Sequence, residues 1–423
     1  MNNSHAAEIL SVGTELLLGG TTNTDARDIS EMLTTIGINV FHHTVVGDNP
    51  ERLKQAMAIA MDRSDIIITT GGLGPTCDDL TKNVIAEALG LPMVYCPEEG
   101  ERLKDYFARR HREMTPNNLQ QAWLPEGCIR LINDWGSAPG CVIEREGLTV
   151  IMLPGPPKEC FNMMKYRALP YLMEKSGGVI VSHNYKIFGM GESEMENQLR
   201  DMMNAWTNPT IAPYAKACEC LVRITAKADT AEEAEAMIAP AEKIVRDTLG
   251  DVIYGVDLNG LDECVLRLLQ EKNLTLSAAE SCTGGLIAKR ITDYPGASRN
   301  FLGGVVSYTN GVKEKILGVN PKTIETYDVV SEPVAKEMCE HIRELTGSDL
   351  AISVTGLAGP EGDGIHPVGT VCLGLATPDG TITDTLNIPG RDRENVRQYA
   401  SQHAFDMIRR YLTGLPVKSR TII

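Results

Sequence analysis

A run of β-branched residues that leads straight into two glycines most constrains how this chain can fold. Residues 65–70 read DIIITT, which predicts a buried strand, and Gly71 and Gly72 follow immediately. A helix is predicted next, from residue 78 or 79 to residue 88. Strand and helix patterns alternate in the same way before this segment. The first part of the chain therefore predicts a doubly wound α/β domain with a parallel sheet.

The remaining sequence predicts two further folding units, as a length of 423 residues suggests. Strands at 185–190, 210–216, 220–227 and 252–255 and helices at 192–203 and 230–249 give the order β-α-β-β-α-β, typical of a small split-βαβ, α+β module. Beyond it we predict an α/β unit with strands at 274–279, 301–308, 350–354, 369–376 and 381–388. An amphipathic helix from Arg393 to about Tyr411 is predicted to close that unit. The expected domains are residues 1–170, 171–257 and 258–415, with a tail at 416–423 and one boundary near Gly177 and Gly178.

Charge and composition exclude several classes of protein. The formal net charge is −16 and only 5% of residues are aromatic, which argues against a surface that binds nucleic acid directly. No apolar run is long enough to span a bilayer, and the first residues do not resemble a secretory signal. The eleven cysteines contain no Cys-x-x-Cys pair. We therefore expect reduced thiols, no structural zinc and a cytoplasmic protein.

The glycine-rich segment from Gly71 to Asp79 is the first candidate site. Ligands of an open α/β sheet bind beyond the carboxyl ends of the strands, where glycines and a helix N-terminus can hold phosphate. Asp78 and Asp79 supply oxygen ligands for a divalent cation. A phosphate cradle beside such a cation suits pyrophosphate cleavage. The alternative is that the glycines only form turns and Asp79 only caps a helix, since neither a Walker-type lysine nor the dinucleotide fingerprint is present.

Polar residues follow three predicted strands of the last unit and form the second candidate site. These residues are Glu280, Ser281, Thr283, Ser307, Tyr308, Thr355 and Gly356. His366 is the one histidine near these elements, so a Ser–His–Asp triad is poorly supported. A serine activated by the neutral amine of Lys313, with Tyr308 sharing the proton, is the alternative for amide hydrolysis. The competing interpretation treats these residues as helix caps, packing groups and a solvated lysine.

The N-terminal motifs resemble those of a known family. GTELLLG, NT, GGLGPTCDDLT and LPGPP, in this order, look like the N-terminal domain of the CinA family (competence/damage-inducible protein A). The resemblance covers residues ~5–170 and implies a molybdopterin-binding-like fold with metal-dependent hydrolysis of ADP-ribose. The implied cation is of the Mg, Mn, Co or Ni class, held by Asp78 and Asp79. The implied phosphate and nucleotide site comprises Glu15, Asn23, Gly71, Gly72, Gly74, Thr76, Pro154 and Gly155.

The C-terminal motifs resemble the same family's nicotinamide mononucleotide deamidase domain. The matching segments are LSAAESCTGGLIA, PGASRNFLGGVVSYTNGVKEKILGV, SVTGLAGPEG and PVGTV. The resemblance covers ~260–415 and implies a catalytic set of Ser298 as nucleophile with Tyr308 and Lys313. Substrate-binding roles fall on Ser281, Thr283, Gly284, Thr355 and Gly356. It also implies an arginine that holds the substrate phosphate, with Arg397 favoured over Arg393, and it implies no cofactor for this step.

The expected function is conversion of nicotinamide mononucleotide to nicotinic acid mononucleotide and ammonia, joined to cleavage of ADP-ribose at its pyrophosphate. The expected partners are these small nucleotides and a second copy of the chain in a homodimer. Two alternatives remain at this stage. One is a protein that binds or adenylylates a pterin, and the other is a non-catalytic competence or DNA-damage accessory protein.

Overall fold

The computed structural model of the chain describes residues 6–174 and 178–417. The described chain divides into two compact units. One unit contains the residues up to 181 together with 226–236, and the other contains 182–225 and the residues from 237 onward. No helix in the described ranges is both long enough and apolar enough to cross a membrane.

The N-terminal domain contains a six-stranded sheet in the order β2-β1-β3-β8-β7-β6. Its strands, with the short β4–β5 pair, are β1 (Ala6–Val12), β2 (Asn39–Val46), β3 (Ile66–Thr70), β4 (Met93–Tyr95), β5 (Trp123–Pro125), β6 (Ile129–Leu131), β7 (Gly140–Arg145) and β8 (Leu148–Leu153). β1 pairs in parallel with β2 and β3, and β3 pairs in parallel with β8. β7 and β6 extend the sheet with antiparallel pairs. The predicted doubly wound α/β fold is confirmed.

Helices connect and cover these strands. They are α1 (Thr14–Leu17), α2 (Thr24–Thr35), α3 (Pro50–Arg63), α4 (Thr81–Ala88), α5 (Pro97–Ala108), α6 (Pro157–Met163) and α7 (Leu169–Met173), with a 3₁₀ segment at Pro116–Ala122 and a π-helical turn at Met164–Ala168. α4 begins later than predicted, because the backbone N–H of Asp79 donates to Thr76 and the backbone N–H of Leu80 donates to Asp78 in a turn. The chain therefore keeps a loop between β3 and α4.

The middle module has the predicted β-α-β-β-α-β order. Its elements are β9 (Val179–Ile187), α8 (Glu192–Ala205), β10 (Thr210–Lys216), β11 (Glu219–Ala228), α9 (Ala231–Leu249), a 3₁₀ turn at Gly250–Val252 and β12 (Ile253–Val256). The sheet order is β10-β11-β9-β12. β9 lies earlier in the chain than the predicted 185–190, since Gly189 takes a φ of +86° in a turn before α8. The predicted boundary residue Gly177 lies outside the described residues, as does most of the predicted tail.

The C-terminal domain contains a five-stranded sheet in the order β14-β13-β15-β16-β17. Its elements are α10 (Leu261–Lys272), β13 (Leu276–Glu280), α11 (Leu286–Thr292), a 3₁₀ turn at Ala297–Arg299, β14 (Phe301–Val306), α12 (Asn310–Leu317), α13 (Pro321–Tyr327), α14 (Glu332–Thr346), β15 (Leu350–Gly356), β16 (Thr370–Thr377), β17 (Gly380–Asn387) and α15 (Arg393–Thr413). β13 is parallel to β14 and β15, so the carboxyl ends of these three strands meet at one edge.

The last helix differs from its prediction. An amphipathic helix buries one face, but α15 is buried on all sides from Ala400 to Arg410. Its charged residues are neutralised inside the domain, where Arg409 and Arg410 both contact the carboxylate of Asp406. Arg410 also contacts Asp251 at 2.8 Å. Charged side chains can be buried when each is paired with an opposite charge. The prediction of an amphipathic helix was therefore wrong.

Candidate active sites

A cavity of about 540 Å³ opens at the carboxyl ends of the parallel strands in the N-terminal domain. The structure brings every predicted N-terminal site residue to its wall. These are Glu15, Asn23, Gly71, Gly72, Gly74, Thr76, Asp78, Asp79, Pro154 and Gly155. β1, β3 and β8 position them, because each strand ends in one of the glycine-bearing loops. The cavity is large enough for a nucleotide.

Two glycines in this cavity cannot be replaced without moving the backbone. Gly71 has a φ of +93°, and a Cβ there would overlap the carbonyl oxygen of Val12. Gly72 has a φ of +67°, and its Cβ would overlap the side chain of Thr81. Positive φ and close approach are both conditions that glycine alone meets cheaply. At Gly71 and Gly72 the loop after β3 thus exposes backbone rather than a side chain to the cavity.

The residues after these glycines are held by their own hydrogen bonds. Asp79 Oδ2 accepts from the backbone N–H of Thr76 at 2.8 Å and also from the Thr76 hydroxyl. The Thr76 side chain also lowers the pKa of Asp78, which is exposed. The same turn therefore keeps Asp78 ionised and fixes the carboxylate of Asp79.

Three carboxylates at the cavity were missed by the sequence reasoning. Asp25, Asp48 and Glu159 all line it. Burial raises the pKa of Asp25 to about 6. Asp48 accepts from the backbone N–H of Thr14 at 2.9 Å, which ties the loop after β1 to the end of β2. Proximity to the NT motif was the one available signal for Asp25, which lies two residues after Asn23.

The donor set of this cavity fits a hard divalent cation that shares its ligands with phosphate. Within residues 6–174 and 178–417, three His, Cys, Asp or Glu ligand atoms lie within 4.8 Å of one another only at Asp328, Asp363 and His366. Asp78 and Asp79 therefore do not belong to a complete protein cage. Magnesium commonly takes one or two carboxylates and completes its shell with water and substrate phosphate.

A second pocket, of about 280 Å³, opens at the carboxyl ends of β13 and β15. The structure brings five predicted residues to it, namely Ser281, Tyr308, Lys313, Thr355 and Gly356. Arg393, the less favoured of the two arginines, also lines it, together with the unpredicted Asn310 and Glu361. Asn310 and Glu361 both lie inside motifs that carry the family resemblance, but neither was assigned a role from the sequence.

Lys313 is the central group of this pocket. It is only 1% exposed, and its Nζ donates to Ser281 Oγ at 3.0 Å and to the carbonyl oxygen of Ser307 at 2.7 Å. Burial lowers the pKa of Lys313 to about 8. A lysine of this kind is partly neutral near physiological pH and lies within hydrogen-bond reach of a serine hydroxyl.

Glu280 fixes the turn that carries Ser281. Its buried carboxylate accepts three backbone N–H groups at the start of α11, from Gly285, Ile287 and Ala288. The backbone N–H of Ser281 donates to Val354 of β15 at 2.8 Å. The segment AAESCTGG is therefore a rigid strand end. Its Cys282 is buried, which raises the pKa of the thiol to about 12 and keeps it unreactive.

The structure does not bring Ser298 to this pocket. Ser298 is exposed in the 3₁₀ turn Ala297–Arg299, before β14 begins, whereas Tyr308 and Lys313 follow the end of β14. A strand of that length separates its two ends by roughly 20 Å. Within this chain Ser281, and not Ser298, is the serine that contacts Lys313. The proposed nucleophile therefore changes from Ser298 to Ser281.

The structure also reverses the preference between the two arginines. Arg393 donates to Tyr308 Oη at 2.5 Å and to the carbonyl oxygen of Gly359 at 2.6 Å, at the rim of the pocket. Arg397 does not line the pocket and instead donates to the carbonyl oxygen of Thr283 at 3.0 Å. Thr283 and Gly284 are likewise outside the lining residues, so their predicted contact with substrate has no geometric support.

Three family profiles match this chain in succession: "Probable molybdopterin binding domain" over residues 8–174, "Damage-inducible protein CinA KH domain" over 182–255 and "CinA C-terminal domain" over 258–412. A relative from Caldanaerobacter subterraneus subsp. tengcongensis, whose name refers to competence and damage induction, is 48% identical over 96% of this chain and 98% of its own length. The chain belongs to the CinA family.

Other proteins are similar over nearly the whole chain or over part of it. A CinA-like protein from Dictyoglomus turgidum is 47% identical over 96% of this chain and 99% of its own length. A crystal structure of CinA from Thermoplasma acidophilum is 33% identical and covers 41% of this chain and 99% of its own, with a TM-score of 0.38. The full-length relatives confirm the family, and the three successive family profiles confirm the three-part α/β architecture of this CinA protein.

Proposed function

We propose that the C-terminal domain of this CinA protein hydrolyses the carboxamide of nicotinamide mononucleotide. The hydrogen bond of 3.0 Å between buried Lys313 and Ser281 carries this proposal. A serine needs a base before it attacks an amide, and Lys313 is the candidate base at this pocket. The deamidase resemblance of the same motifs supplies the substrate.

The residues suggest a serine–lysine mechanism. Neutral Lys313 removes the proton from Ser281, whose Oγ attacks the carboxamide carbon. The lysine ammonium then returns the proton to the departing nitrogen, so that ammonia leaves and a nicotinoyl ester of Ser281 remains. Water attacks this ester with Lys313 again as base, and nicotinic acid mononucleotide is released. The step needs no cofactor.

Arg393 is the proposed group that holds the substrate phosphate. It is the arginine at the pocket rim, and its guanidinium can form two parallel hydrogen bonds to phosphate oxygens. Its contact with Tyr308 Oη keeps the side chain over the pocket. Tyr308 is 56% exposed, so it is better placed to contact substrate than to relay a proton to buried Lys313.

Paired serine variants test this proposal. Ser281→Ala is expected to abolish ammonia release from nicotinamide mononucleotide, because it removes the nucleophile, whereas Ser298→Ala is expected to keep it. Release would be measured in a coupled ammonia assay on the full chain. Full activity of Ser281→Ala would overturn the nucleophile assignment. Loss of activity only in Ser298→Ala would restore the assignment that the family resemblance implies.

We further propose that the N-terminal domain cleaves ADP-ribose at its pyrophosphate with a divalent cation. The convergence of the Gly71–Gly72 backbone with Asp78 and Asp79 at one cavity supports it. The glycine loop would hold phosphate through its N–H groups, and Asp78 and Asp79 would hold the cation. A divalent cation at such a site neutralises phosphate charge and lowers the pKa of water.

Product analysis tests this second activity. The purified chain would be incubated with ADP-ribose, with and without Mg²⁺, Mn²⁺, Co²⁺ or Ni²⁺, and AMP would be measured. Metal-dependent AMP release is expected. A stable pterin complex without AMP release would favour a pterin-handling protein instead. Both proposed activities act on breakdown products of pyridine nucleotides, so one chain would serve one salvage process.

A further inference from the structure

The N-terminal cavity has an unusual charge distribution for a site that takes phosphates. Six carboxylates line it, and among the described lining residues none is Lys, Arg or His. The six are Glu15, Asp25, Asp48, Asp78, Asp79 and Glu159. Backbone N–H groups and neutral side chains such as Asn23 and Gln121 are then the hydrogen-bond donors of the protein at this cavity. A free polyphosphate would meet net repulsion here, which no cationic side chain among the lining residues offsets.

One of these carboxylates is buried without full hydrogen bonding. Asp25 is 9% exposed, and its Oδ1 has no hydrogen-bond partner in the described structure. The Cys160 thiol is the side chain that hydrogen-bonds this carboxyl. A buried acceptor without a partner is costly and needs an explanation. Because Asp25 lies at the cavity wall, a cation or a donor group of the ligand is such a partner.

The carboxylates are also too dispersed to hold a cation alone. Across the described ranges, no three His, Cys, Asp or Glu ligand atoms at this cavity come within 4.8 Å of one another, a condition that Asp328, Asp363 and His366 meet elsewhere. A cation at the cavity therefore needs further ligands, and water and phosphate oxygens are the ones that Mg²⁺ commonly takes.

We infer that this cavity binds a phosphate ester and a divalent cation as one unit, each weakly alone, and that Asp25 is one of the carboxylates the cation neutralises. The inference rests on the proposed pyrophosphatase function for its choice of ligand, and it adds a mutual dependence of binding. Without the cation, six carboxylates repel the phosphates. Without the phosphates, the cation has only water and dispersed carboxylates as ligands. By linkage, each must strengthen the other's affinity by the same factor.

Calorimetric titration of the full chain tests this dependence. The probes are Mn²⁺ and the α,β-methylene analogue of ADP-ribose, which resists cleavage. We expect either probe alone to bind at least about tenfold more weakly than it binds in the presence of the other. Equal affinity of the analogue with and without Mn²⁺ would overturn the inference. If AMP release from ADP-ribose still required metal in that case, the proposed function would stand.

The opposite outcome would also separate the inference from the proposed function. Mutually dependent binding without release of AMP from ADP-ribose would keep the inference and overturn the proposed function.

Asp25→Asn tests the role of Asp25, since it removes one charge at constant shape. We expect it to strengthen binding of the analogue alone, to weaken binding of Mn²⁺ with the analogue, and so to reduce the coupling factor. Glu31→Gln, on the exposed face of α2, is the matched control. If the two variants have equal coupling factors, Asp25 has no such role.

Discussion

The two sites both lie at the carboxyl ends of parallel strands, but their side chains differ in charge and in chemistry. The N-terminal cavity offers backbone N–H groups and carboxylates, with no cationic side chain among its described residues. The C-terminal pocket has a buried lysine, an arginine at its rim and a serine within hydrogen-bond distance of the lysine. The difference agrees with the proposal that the first site would depend on an added cation, whereas the second would use its own lysine as the acid–base group.

Removal of Lys313 is expected to have the largest effect. Lys313→Met keeps the length and apolar stem of the side chain but removes the base, so amide hydrolysis should fall by about 10²–10⁴-fold. The measurement is the initial rate of ammonia release from nicotinamide mononucleotide. Lys315→Met, on the exposed face of the same helix α12, is the control and should retain its rate. Comparable rates in the two variants would contradict the assignment of Lys313 as base.

The sequence was a good guide wherever a local pattern determines structure. The order of strands and helices predicted all three parts of the architecture. A strand such as IIITT, which has no polar face, is typical of a parallel sheet that is covered on both faces. The prediction of an amphipathic α15 failed. In the sequence, Asp406, Arg409 and Arg410 are typical of an exposed polar face, but in the structure they form buried ion pairs. Only partners distant in sequence, such as Asp251, reveal that these charges are neutralised.

Contacts between residues that are distant in sequence also limited the prediction of the sites. In the N-terminal cavity, the glycine-rich loop after a strand predicted the segment from Gly71 to Asp79, and the family resemblance implied the other residues, such as Asn23 and Pro154. In the C-terminal domain, Ser281 follows the carboxyl end of β13, whereas Ser298 precedes the amino end of the neighbouring β14, so the two serines lie at opposite ends of the strands. Spacing along the chain could not separate them. Arg393 and Arg397 lie one turn apart on the same face of α15, so the choice between them depends on which turn of the helix reaches the pocket.

Neutralisation of Asp79 tests the proposed cation site of the N-terminal cavity. Asp79→Asn keeps the shape of a side chain that accepts from Thr76, but it removes a charge that the cation needs. Hydrolysis of ADP-ribose should fall by at least about 100-fold, and higher Mn²⁺ should recover part of it. Amide hydrolysis by the same protein should stay unchanged and serves as the internal control. Unaltered metal dependence would remove Asp79 from the cation site.

Removal of the rim arginine should affect substrate binding more than chemistry. Arg393→Ala is expected to raise KM for nicotinamide mononucleotide by about 10–100-fold with a smaller change in kcat, since a charged hydrogen bond to phosphate is lost. Arg397→Ala is the matched control, because Arg397 contacts the carbonyl oxygen of Thr283 rather than the pocket. A larger KM effect in Arg397→Ala would reverse the assignment.

The pH dependence of amide hydrolysis provides the smallest but most specific test of the built-in base. Burial lowers the pKa of Lys313 to about 8, and only the neutral amine can accept the serine proton. Below that pKa, kcat/KM should fall about tenfold per pH unit, and between pH 7 and 9 it should rise by about tenfold in total before reaching a plateau. The second ionisation of the substrate phosphate, near pH 6, lies below this window. A lysine with an ordinary pKa would keep the rate rising beyond pH 10. A flat profile between pH 7 and 9 would mean that Lys313 is not the base, and a rise that continues past pH 10 would mean that burial does not make its amine neutral.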